Sequence, residues 1–313
     1  MSEMSWARRN QNWLPWVGGT ALVAIPIFLF PAAAPAWDIL RLLIVWVVLW
    51  QWNTYLSRTR FGPIASPLLF GLTLLILWEM ACRLFAIPSV ILPPPSAIAV
   101  ALSENTAILW GDWIQTVLKG AVSGWLIGSA AAIATALLVA RSDFLRRGLL
   151  PVGNFVAALP IVGTAPILVM WFGFGWESKA AVVVVMVFFP VLVNTVAGLA
   201  DTTAMQRDLM RTYGATPTQT LRLLNITAAL PFVFNGLKIA TTLALIGAIV
   251  AEFFGSPTFG LGFRISTEVG RLNLPTVWAA ITVAAVTGSL WYGIIALIEK
   301  RLTFWHPSQR GRG

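Results

Sequence analysis

The chain carries little charge: only 11% of its 313 residues are Asp, Glu, Lys or Arg, against roughly 25% in soluble globular domains. Hydrophobic residues make up 58% of the chain, and the mean hydropathy is +0.80. So few charged side chains cannot provide the polar surface that a folded domain presents to water. The composition therefore excludes an ordinary soluble domain and indicates a protein of the lipid bilayer.

Residues that perform catalysis or bind metals are also scarce. The single cysteine, Cys82, lies within an apolar run and excludes an internal disulfide. The single histidine, His306, lies in the tail WHPSQRGRG with no Cys or carboxylate at ligand spacing, which favours a solvated tail residue. No Gly-Lys pair occurs, so the phosphate-binding motif G-x-x-x-x-G-K-[ST] is missing. The sequence predicts no catalytic residue, no metal site and no enzyme activity on this chain.

Apolar runs of about 20 residues, the length that crosses a bilayer as an α-helix, recur along the chain. Helices are expected because an unpaired backbone group in lipid is costly, and because the runs exceed the roughly 10-residue strands of membrane barrels. The first run is interpreted as a retained anchor, not a signal peptide. The sequence predicts an all-α integral membrane protein of about eight spans: Leu14–Phe30, Ile39–Tyr55, Pro67–Ala86, Ile114–Ala140, Pro151–Phe172, Lys179–Leu199, Ala229–Phe253 and Thr276–Glu299.

Basic residues follow the pattern of membrane orientation, not of nucleic-acid binding. They occupy short polar breaks between the apolar runs, without the interleaved aromatic residues of a nucleic-acid face. With a cytoplasmic N-terminus, most of the 21 lysines and arginines lie on the inner side. Both termini are therefore predicted to be cytoplasmic. The inner basic residues are Arg8, Arg9, Arg58, Arg60, Arg141, Arg146, Arg147, Arg207, Arg211, Arg222, Lys300, Arg301, Arg310 and Arg312.

Three connections are longer than simple turns. Ile87–Trp113 is predicted to be external, with Ser96 capping a short amphipathic helix after the prolines at 93–95. Phe254–Pro275 is a second external loop, rich in glycine. Ala200–Ala228 is cytoplasmic and far longer than a plain connector needs. This last segment is expected to contact another molecule.

The cytoplasmic segment is predicted to form two short helices joined at a glycine. Met205, Leu209 and Tyr213 are spaced i, i+4, i+8, which places them on one helical face. Gly214 then provides the left-handed residue that commonly ends a helix. In Thr216–Gln219, a threonine, a proline and a glutamine stand at the N-cap, N1 and N3 positions of a capping box.

The stretch DLMRTYGATPTQTLRLLNITAALP is similar to the conserved cytoplasmic loop of binding-protein-dependent ABC importer permeases. That loop reads Glu-Ala-Ala, three residues, Gly, nine residues, Ile-x-Leu-Pro. Further similar stretches are ALPIVGTAPILVMWFGFG, FFPVLVNTVAGL, LALIGAIVAEF and TFWHPS. The resemblance covers roughly residues 66–307 and is to the nitrate/sulfonate/taurine-type branch, which also handles bicarbonate and thiamine-pyrimidine precursors.

Residues of this chain take the positions of that loop one by one. Asp208 stands for the Glu, Gly214 for the Gly and Leu224 for the Ile, whereas Ile226 and Thr227 replace Leu-Pro. A second Leu-Pro follows at 230–231. The resemblance implies that the helices of 201–226 dock on a separate ATPase through Asp208, Leu209, Met210, Tyr213, Gly214, Leu224 and Pro231.

The resemblance also implies the rest of the assembly. The chain is expected to begin with an extension of two helices in residues 1–65. A type I core of six helices follows in 66–303, with the coupling loop at 200–228, and a cytoplasmic tail occupies 304–313. The expected partners are ABC ATPase subunits carrying ATP and Mg, a periplasmic binding protein and a second permease copy, all at a bacterial inner membrane. The expected cargo is a small anionic or aromatic solute, which the sequence does not identify further.

Polar residues and prolines within spans are the candidates for a translocation pathway. Pro160 and Pro166 free backbone carbonyls, and Asn194, Lys238 and Glu252 place polar groups in apolar runs. Each also has a structural interpretation: prolines are tolerated for packing, asparagines bond between helices, and charged side chains pair or reach a span end. Glu79, Lys119 and Asn235 have the same ambiguity. Gly124, Gly128 and Ala132 form a small-residue face suited to helix contact.

Two other functions remain possible from the residues alone. A secondary transporter or channel working without an ATPase would favour clustered carboxylates or an internal repeat, and neither is found. A structural membrane anchor would not explain the long cytoplasmic segment.

Overall fold

The computed structural model describes residues 35–59, 61–157, 160–255 and 259–305, and the regular elements of these ranges are all helical. π-helical turns at Ile114–Val122 and at Leu221–Asn225 each connect two successive α-helices. The helices are α1 Pro35–Ser57, α2 Gly62–Leu84, α3 Pro95–Glu104, α4 Thr106–Trp113, α5 Ser123–Val139, α6 Asp143–Ala157, α7 Ile161–Phe172, α8 Trp176–Ala200, α9 Ala204–Thr212, α10 Pro217–Thr220, α11 Ile226–Gly255, α12 Leu261–Gly270 and α13 Leu274–Leu302.

Within the described ranges, six continuous helical runs are long and apolar enough to cross a membrane. Each coincides, to within a few residues at its C-terminal end, with one of the predicted spans, which confirms those six. The predicted span Leu14–Phe30 lies outside the described residues. The six runs are Trp37–Ser57, Gly62–Leu84, Thr106–Val139, Trp176–Ala200, Pro217–Gly255 and Leu274–Leu302.

The predicted span Pro151–Phe172 differs, because the structure divides it between α6 and the shorter apolar helix α7. Pro160 precedes α7 with extended backbone, at φ −68° and ψ 111°. Proline has no N–H to donate, and its ring clashes with the preceding turn of a helix. A new helix therefore begins after Pro160, although Pro166 is accommodated inside α7.

One compact unit contains the described residues up to Ser103 together with Leu272–Pro275. In it, α1 packs on α2, and Glu79 of α2 accepts hydrogen bonds from the backbone N–H of Ser96 (2.9 Å) and from its hydroxyl (2.8 Å). The prediction that Ser96 caps its own helix is wrong, since α3 begins at Pro95 and Ser96 is its second residue. Glu79 supplies the cap from another helix and also pairs with Arg83 at 2.5 Å.

The second unit contains Glu104–Arg271 and the residues from Thr276 onward. Its core is α8, with α5 and α11 packed against it. A Cβ on Gly124 would lie 2.5 Å from the Cβ of Val183, and one on Gly198 would lie 2.7 Å from Phe232. These close approaches confirm Gly124 as part of a helix-contact face, where small residues let backbones meet without a gap.

The course of α8 and α11 defines two ends of this unit. α8 runs from Trp176 toward the α9–α10 segment, and α11 returns from that segment to Gly255. The opposite end, where α8 begins and α11 finishes, is called the far end below. α12 follows α11 and belongs to the far end.

Candidate functional site

The α9–α10 segment is shaped by two capping boxes and one glycine. The hydroxyl of Thr216 accepts from Gln219 N–H while the Gln219 side chain accepts from Thr216 N–H, as predicted. Thr203 and Gln206 form the same arrangement at the start of α9, which the sequence analysis missed although T-x-x-Q was visible there. Gly214 has φ +65°, which confirms the left-handed turn between the two helices.

One stripe of exposed side chains along α9 is apolar, although the polar residues of the helix are exposed too. Met205 is 82% exposed, Leu209 54% and Tyr213 80%, and no residue of α9 is buried. Met210 is half-buried and so lies off this face. Large exposed apolar side chains on a short, capped helix favour a surface that another protein covers. We call Met205, Leu209 and Tyr213 the apolar face of α9.

The other predicted docking residues lie apart from this face. Leu224 and Pro231 are half-buried, in the π-helical turns and in α11. Leu223, which the sequence analysis did not single out, is 68% exposed instead. Asp208 is exposed and pairs with Arg211 at 3.2 Å, a surface pair that contributes little stability.

A basic cleft lies beside the α9–α10 segment. It has a volume of about 490 Å³ and is lined by Arg141, Arg207 and Arg211, among others. The Arg207 guanidinium donates to the backbone oxygen and the hydroxyl of the buried Thr202, so it fixes α9 to the short connection that follows α8. Three arginines from two parts of the chain therefore meet at this end of the unit.

The pathway candidates are distributed between the two ends. Asn235 Nδ2 donates to Asn194 Oδ1 at 3.0 Å, and Asn194 Nδ2 donates to the Pro190 carbonyl at 2.8 Å. One turn along α11, Lys238 Nζ lies 2.7 Å from Glu299 Oε2. The structure thus brings Asn194 and Lys238 into the same region, nearer the α9–α10 segment than the far end. Asn235 is exposed despite lying in a membrane-length helix.

Pro160, Pro166 and Glu252 are separate from that pair. Pro160 is exposed and Pro166 half-buried, and a largely apolar cavity of about 190 Å³ lies among Val156, Ile161, Thr164, Val185, Met186, Phe189, Pro190 and Leu243. Glu252 is at the far end and only 1% exposed. The structure therefore does not gather the five pathway candidates into one site.

Glu252 instead belongs to a buried polar network at the far end. Thr116 Oγ1 donates to the Glu252 carboxylate at 2.9 Å and accepts from Leu261 N–H at 2.7 Å. Glu252 Oε2 accepts from Gly262 N–H at 2.8 Å. Asp112 accepts from Gly260 N–H and from Arg264 Nε, each at 2.8 Å. We call Asp112, Thr116 and Glu252 with these three amides the capping network.

Sequence reasoning missed Asp112, Thr116 and Lys179 as members of this region. Lys179 is 1% exposed, and its Nζ donates to the carbonyls of Phe174 (2.7 Å) and Gly255. Each of the three is a polar residue near the end of a predicted span. Many residues without a special role occupy the same kind of position, so the sequence does not distinguish them. Across the described residues, no group of three or more His, Cys, Asp or Glu is placed to hold a metal ion.

The fold and the exposed α9–α10 segment define a multi-pass membrane transport subunit. Residues 124–304 match the family of binding-protein-dependent transport system inner membrane components, and the chain belongs to this family. It is therefore the permease subunit of an ATP-driven importer of small solutes. As a member of this family it is a transport subunit and not an enzyme. Members work with an ATPase and with a substrate-binding protein, which decides against a transporter that needs no ATPase.

Three relatives illustrate the similarity. A probable ABC transporter permease of Haemophilus influenzae is 33% identical over 75% of this chain and 96% of its own length. The formylaminopyrimidine permease ThiX of Halalkalibacterium halodurans is 32% identical over 78% of this chain and 97% of its own. The taurine permease TauC of Escherichia coli is 27% identical over 82% and 93%. These names confirm the expected branch of the family.

Proposed function

We propose that the chain works as one of two identical permease subunits in a bacterial inner membrane, with both termini in the cytoplasm. The distribution of basic residues supports this orientation. The cleft that joins Arg141 to Arg207 and Arg211 supports it too, because it groups predicted inner arginines at one end of the molecule. In this arrangement, residues 1–65 form an N-terminal extension, 66–303 the permease core and 304–313 a cytoplasmic tail.

The observation that carries the proposal is the apolar face of α9 on a segment that two capping boxes and Gly214 hold in shape. The segment docks on the partner ATPase through Leu209 and Tyr213, with Asp208 and Met210 at its border. Gly214 fixes the angle between α9 and α10, and Leu224 and Pro231 pass the movement into α11. ATP and Mg bind on the partner, since the chain has no P-loop sequence.

The solute path lies between the two permease copies. Asn235 supports this placement, because an exposed amide in a spanning helix is disfavoured in lipid and favoured beside water or protein. The Asn194–Asn235 pair and the Lys238–Glu299 pair then border the inner part of the path. Pro160 and Pro166 shape the wall at α7, and Glu252 closes the far end.

The cargo is a small anionic or aromatic solute that the binding protein selects and delivers. Relatives named for taurine and for formylaminopyrimidine support this class. In an importer of this design the permease needs only to admit the solute, because the binding protein makes the selective contacts.

Co-expression of this chain with ABC ATPases of its own organism, followed by co-purification, tests the proposal. Tyr213→Ala is expected to weaken the complex at least about tenfold, because buried aromatic side chains dominate interface energies. Tyr292→Ala is the matched control: this tyrosine is also exposed, at 47%, but lies on α13. Equal retention of the ATPase by both variants, or solute accumulation by the chain without an ATPase, contradicts the proposal.

A further inference from the structure

The far end holds an arrangement that the family description does not explain: three buried polar side chains capping the first turn of α12. Asp112, Thr116 and Glu252 are 0%, 0% and 1% exposed. They accept hydrogen bonds from three consecutive amides, those of Gly260, Leu261 and Gly262. A helix ordinarily receives its cap from its own chain just before the first turn; here two other helical runs supply it.

The glycines on either side of Leu261 make this contact possible. Gly260 has φ +130°, and a Cβ there would lie 2.4 Å from the Glu252 carboxylate. A Cβ on Gly262 would lie 2.3 Å from the Ile249 carbonyl. The α12 backbone thus rests directly on α11, without an intervening side chain.

The network joins elements that are distant from one another along the chain. Asp112 lies in the last turn of α4 and Thr116 in the first of the π-helical turns, whereas Glu252 lies in the last turns of α11. Arg264, a residue of α12, extends the contact, since its guanidinium pairs with Asp112 at 2.8 Å. Buried charges without partners are costly, so α4, α11 and α12 separate only if these groups lose their partners together.

α11 connects this network to the α9–α10 segment. The helical run Pro217–Gly255 is continuous, beginning at the capped start of α10 and reaching past Glu252. At about 1.5 Å per residue, its 39 residues span roughly 58 Å. This run is the covalent connection along which a displacement of the α9–α10 segment can reach the far end.

We infer that Asp112, Thr116 and Glu252 are positioning residues that make α12 move with α11 as one rigid body, so that α12 follows the state of the distant ATPase. This inference rests on the proposed function, because the movement originates where the ATPase docks. α12 is then the element at the far end that the loaded binding protein contacts. Through α12 and α11, this contact changes the activity of the ATPase. Coupling of this kind between distant sites typically changes a response 5- to about 150-fold.

The experiment uses the full chain assembled with its ATPase and binding protein in proteoliposomes. ATP hydrolysis is measured with and without loaded binding protein. In a Cys82→Ala background, Ser266→Cys on the exposed side of α12 is labelled with a membrane-impermeant maleimide, with and without trapped nucleotide. The parent protein is expected to show stimulated hydrolysis and a labelling rate that depends on nucleotide.

Thr116→Val removes the hydroxyl at nearly constant volume. Basal hydrolysis is expected to stay within about twofold, stimulation by the binding protein to fall at least about fivefold, and labelling to become independent of nucleotide. Thr116→Ser keeps the hydroxyl and should restore both responses. Thr241→Val is the matched control, because this buried threonine lies in α11 and donates only within its own helix, to the Lys238 carbonyl.

Parent-like stimulation and labelling in Thr116→Val, or equal losses in Thr241→Val, would overturn the inference. A measurement on the unmodified chain serves if Thr116→Val does not fold. Hydrogen exchange at Leu261 and Gly262 is expected to be slow in every nucleotide state, and fast exchange in one state shows that the network opens, which contradicts a rigid body. A parent complex whose hydrolysis ignores the binding protein refutes the proposed function itself, before any variant is compared.

Discussion

Gly214 separates α9 from α10 with a conformation that other residues adopt at a cost. Its φ is +65°, and a Cβ added there would meet no atom within 4 Å. The requirement for glycine is therefore one of backbone conformation and not of space. A left-handed residue with a side chain costs about 1–2 kcal/mol, and a β-branched one is the least suited.

Gly214→Val is expected to uncouple ATP hydrolysis from transport while the chain still inserts in the membrane. The substitution changes the angle between α9 and α10, and so the fit of the apolar face of α9 to the ATPase. Gly214→Asn should retain most of the coupling, because asparagine tolerates the left-handed region. Transport and hydrolysis by reconstituted complexes measure the difference; full coupling in the valine variant would contradict this role.

Lys238 illustrates how a partner changes the interpretation of an intramembrane charge. Its ammonium lies 2.7 Å from Glu299, and the two side chains are 16% and 10% exposed. Removing one member of a buried pair leaves an uncompensated charge and lowers the stability by about 3–5 kcal/mol. Because this pair is partly exposed, the expected loss of stability lies near the lower end of that range.

Lys238→Met is expected to lower thermal stability and uptake together, and Lys238→Met with Glu299→Gln to recover most of both. The double variant removes both charges, so nothing charged remains unpaired in the span. Melting temperature in detergent and uptake in vesicles measure the two effects. If the double variant is stable yet does not transport, Lys238 acts on an anionic solute directly and the pairing is secondary.

At the scale of an element, α9 and α10 are short and depend on their caps. α9 has nine residues and α10 only four before the π-helical turns, lengths at which isolated helices are marginal in water. Two capping boxes satisfy backbone N–H groups that would otherwise lack partners. The caps therefore keep an exposed, solvent-facing segment in the shape that an ATPase would recognise.

Thr216→Ala is expected to destabilise α10 by about 1 kcal/mol, the usual cost of losing an N-cap. Faster hydrogen exchange across residues 216–222 and weaker coupling to the ATPase would follow. Thr212→Ala provides the comparison, since the Thr212 hydroxyl donates to the Asp208 carbonyl of its own helix and caps nothing. Identical exchange in the two variants would show that the capping box does not support the segment.

At the scale of the whole molecule, the two ends of the second unit differ in chemistry. The α9–α10 end carries an open cleft lined by three arginines. At the far end, the buried carboxylates Asp112 and Glu252 are satisfied by α12. An excess of arginine on one side is the pattern of a cytoplasmic face.

Single cysteines introduced in the Cys82→Ala background are expected to label from opposite sides of the membrane. Thr218→Cys, in α10, should react only after the cytoplasmic face is opened, whereas Ser266→Cys, in α12, should react in intact cells. Both positions are exposed in the structure. Reaction of Thr218→Cys in intact cells would invert the proposed topology and remove the basis for ATPase docking.

Much of the architecture was determined by the sequence alone, because lipid imposes a simple rule on composition and length. Runs of about 20 apolar residues must be helical in a bilayer, so six spans were predicted within a few residues. The turn at Gly214 and the capping box at Thr216–Gln219 were also predictable, since local backbone requirements select these residue types.

Only the tertiary structure decided which polar residues meet. Glu252, a predicted pathway residue, lies buried against Thr116, 136 residues away in sequence, and against the amide of Gly262. Lys238 finds Glu299 on another helix, and Ser96 is bonded by Glu79 in place of capping α3. A polar residue at a span end has the same local pattern whatever its partner, because the partner is chosen by helix packing over distances that no local sequence encodes.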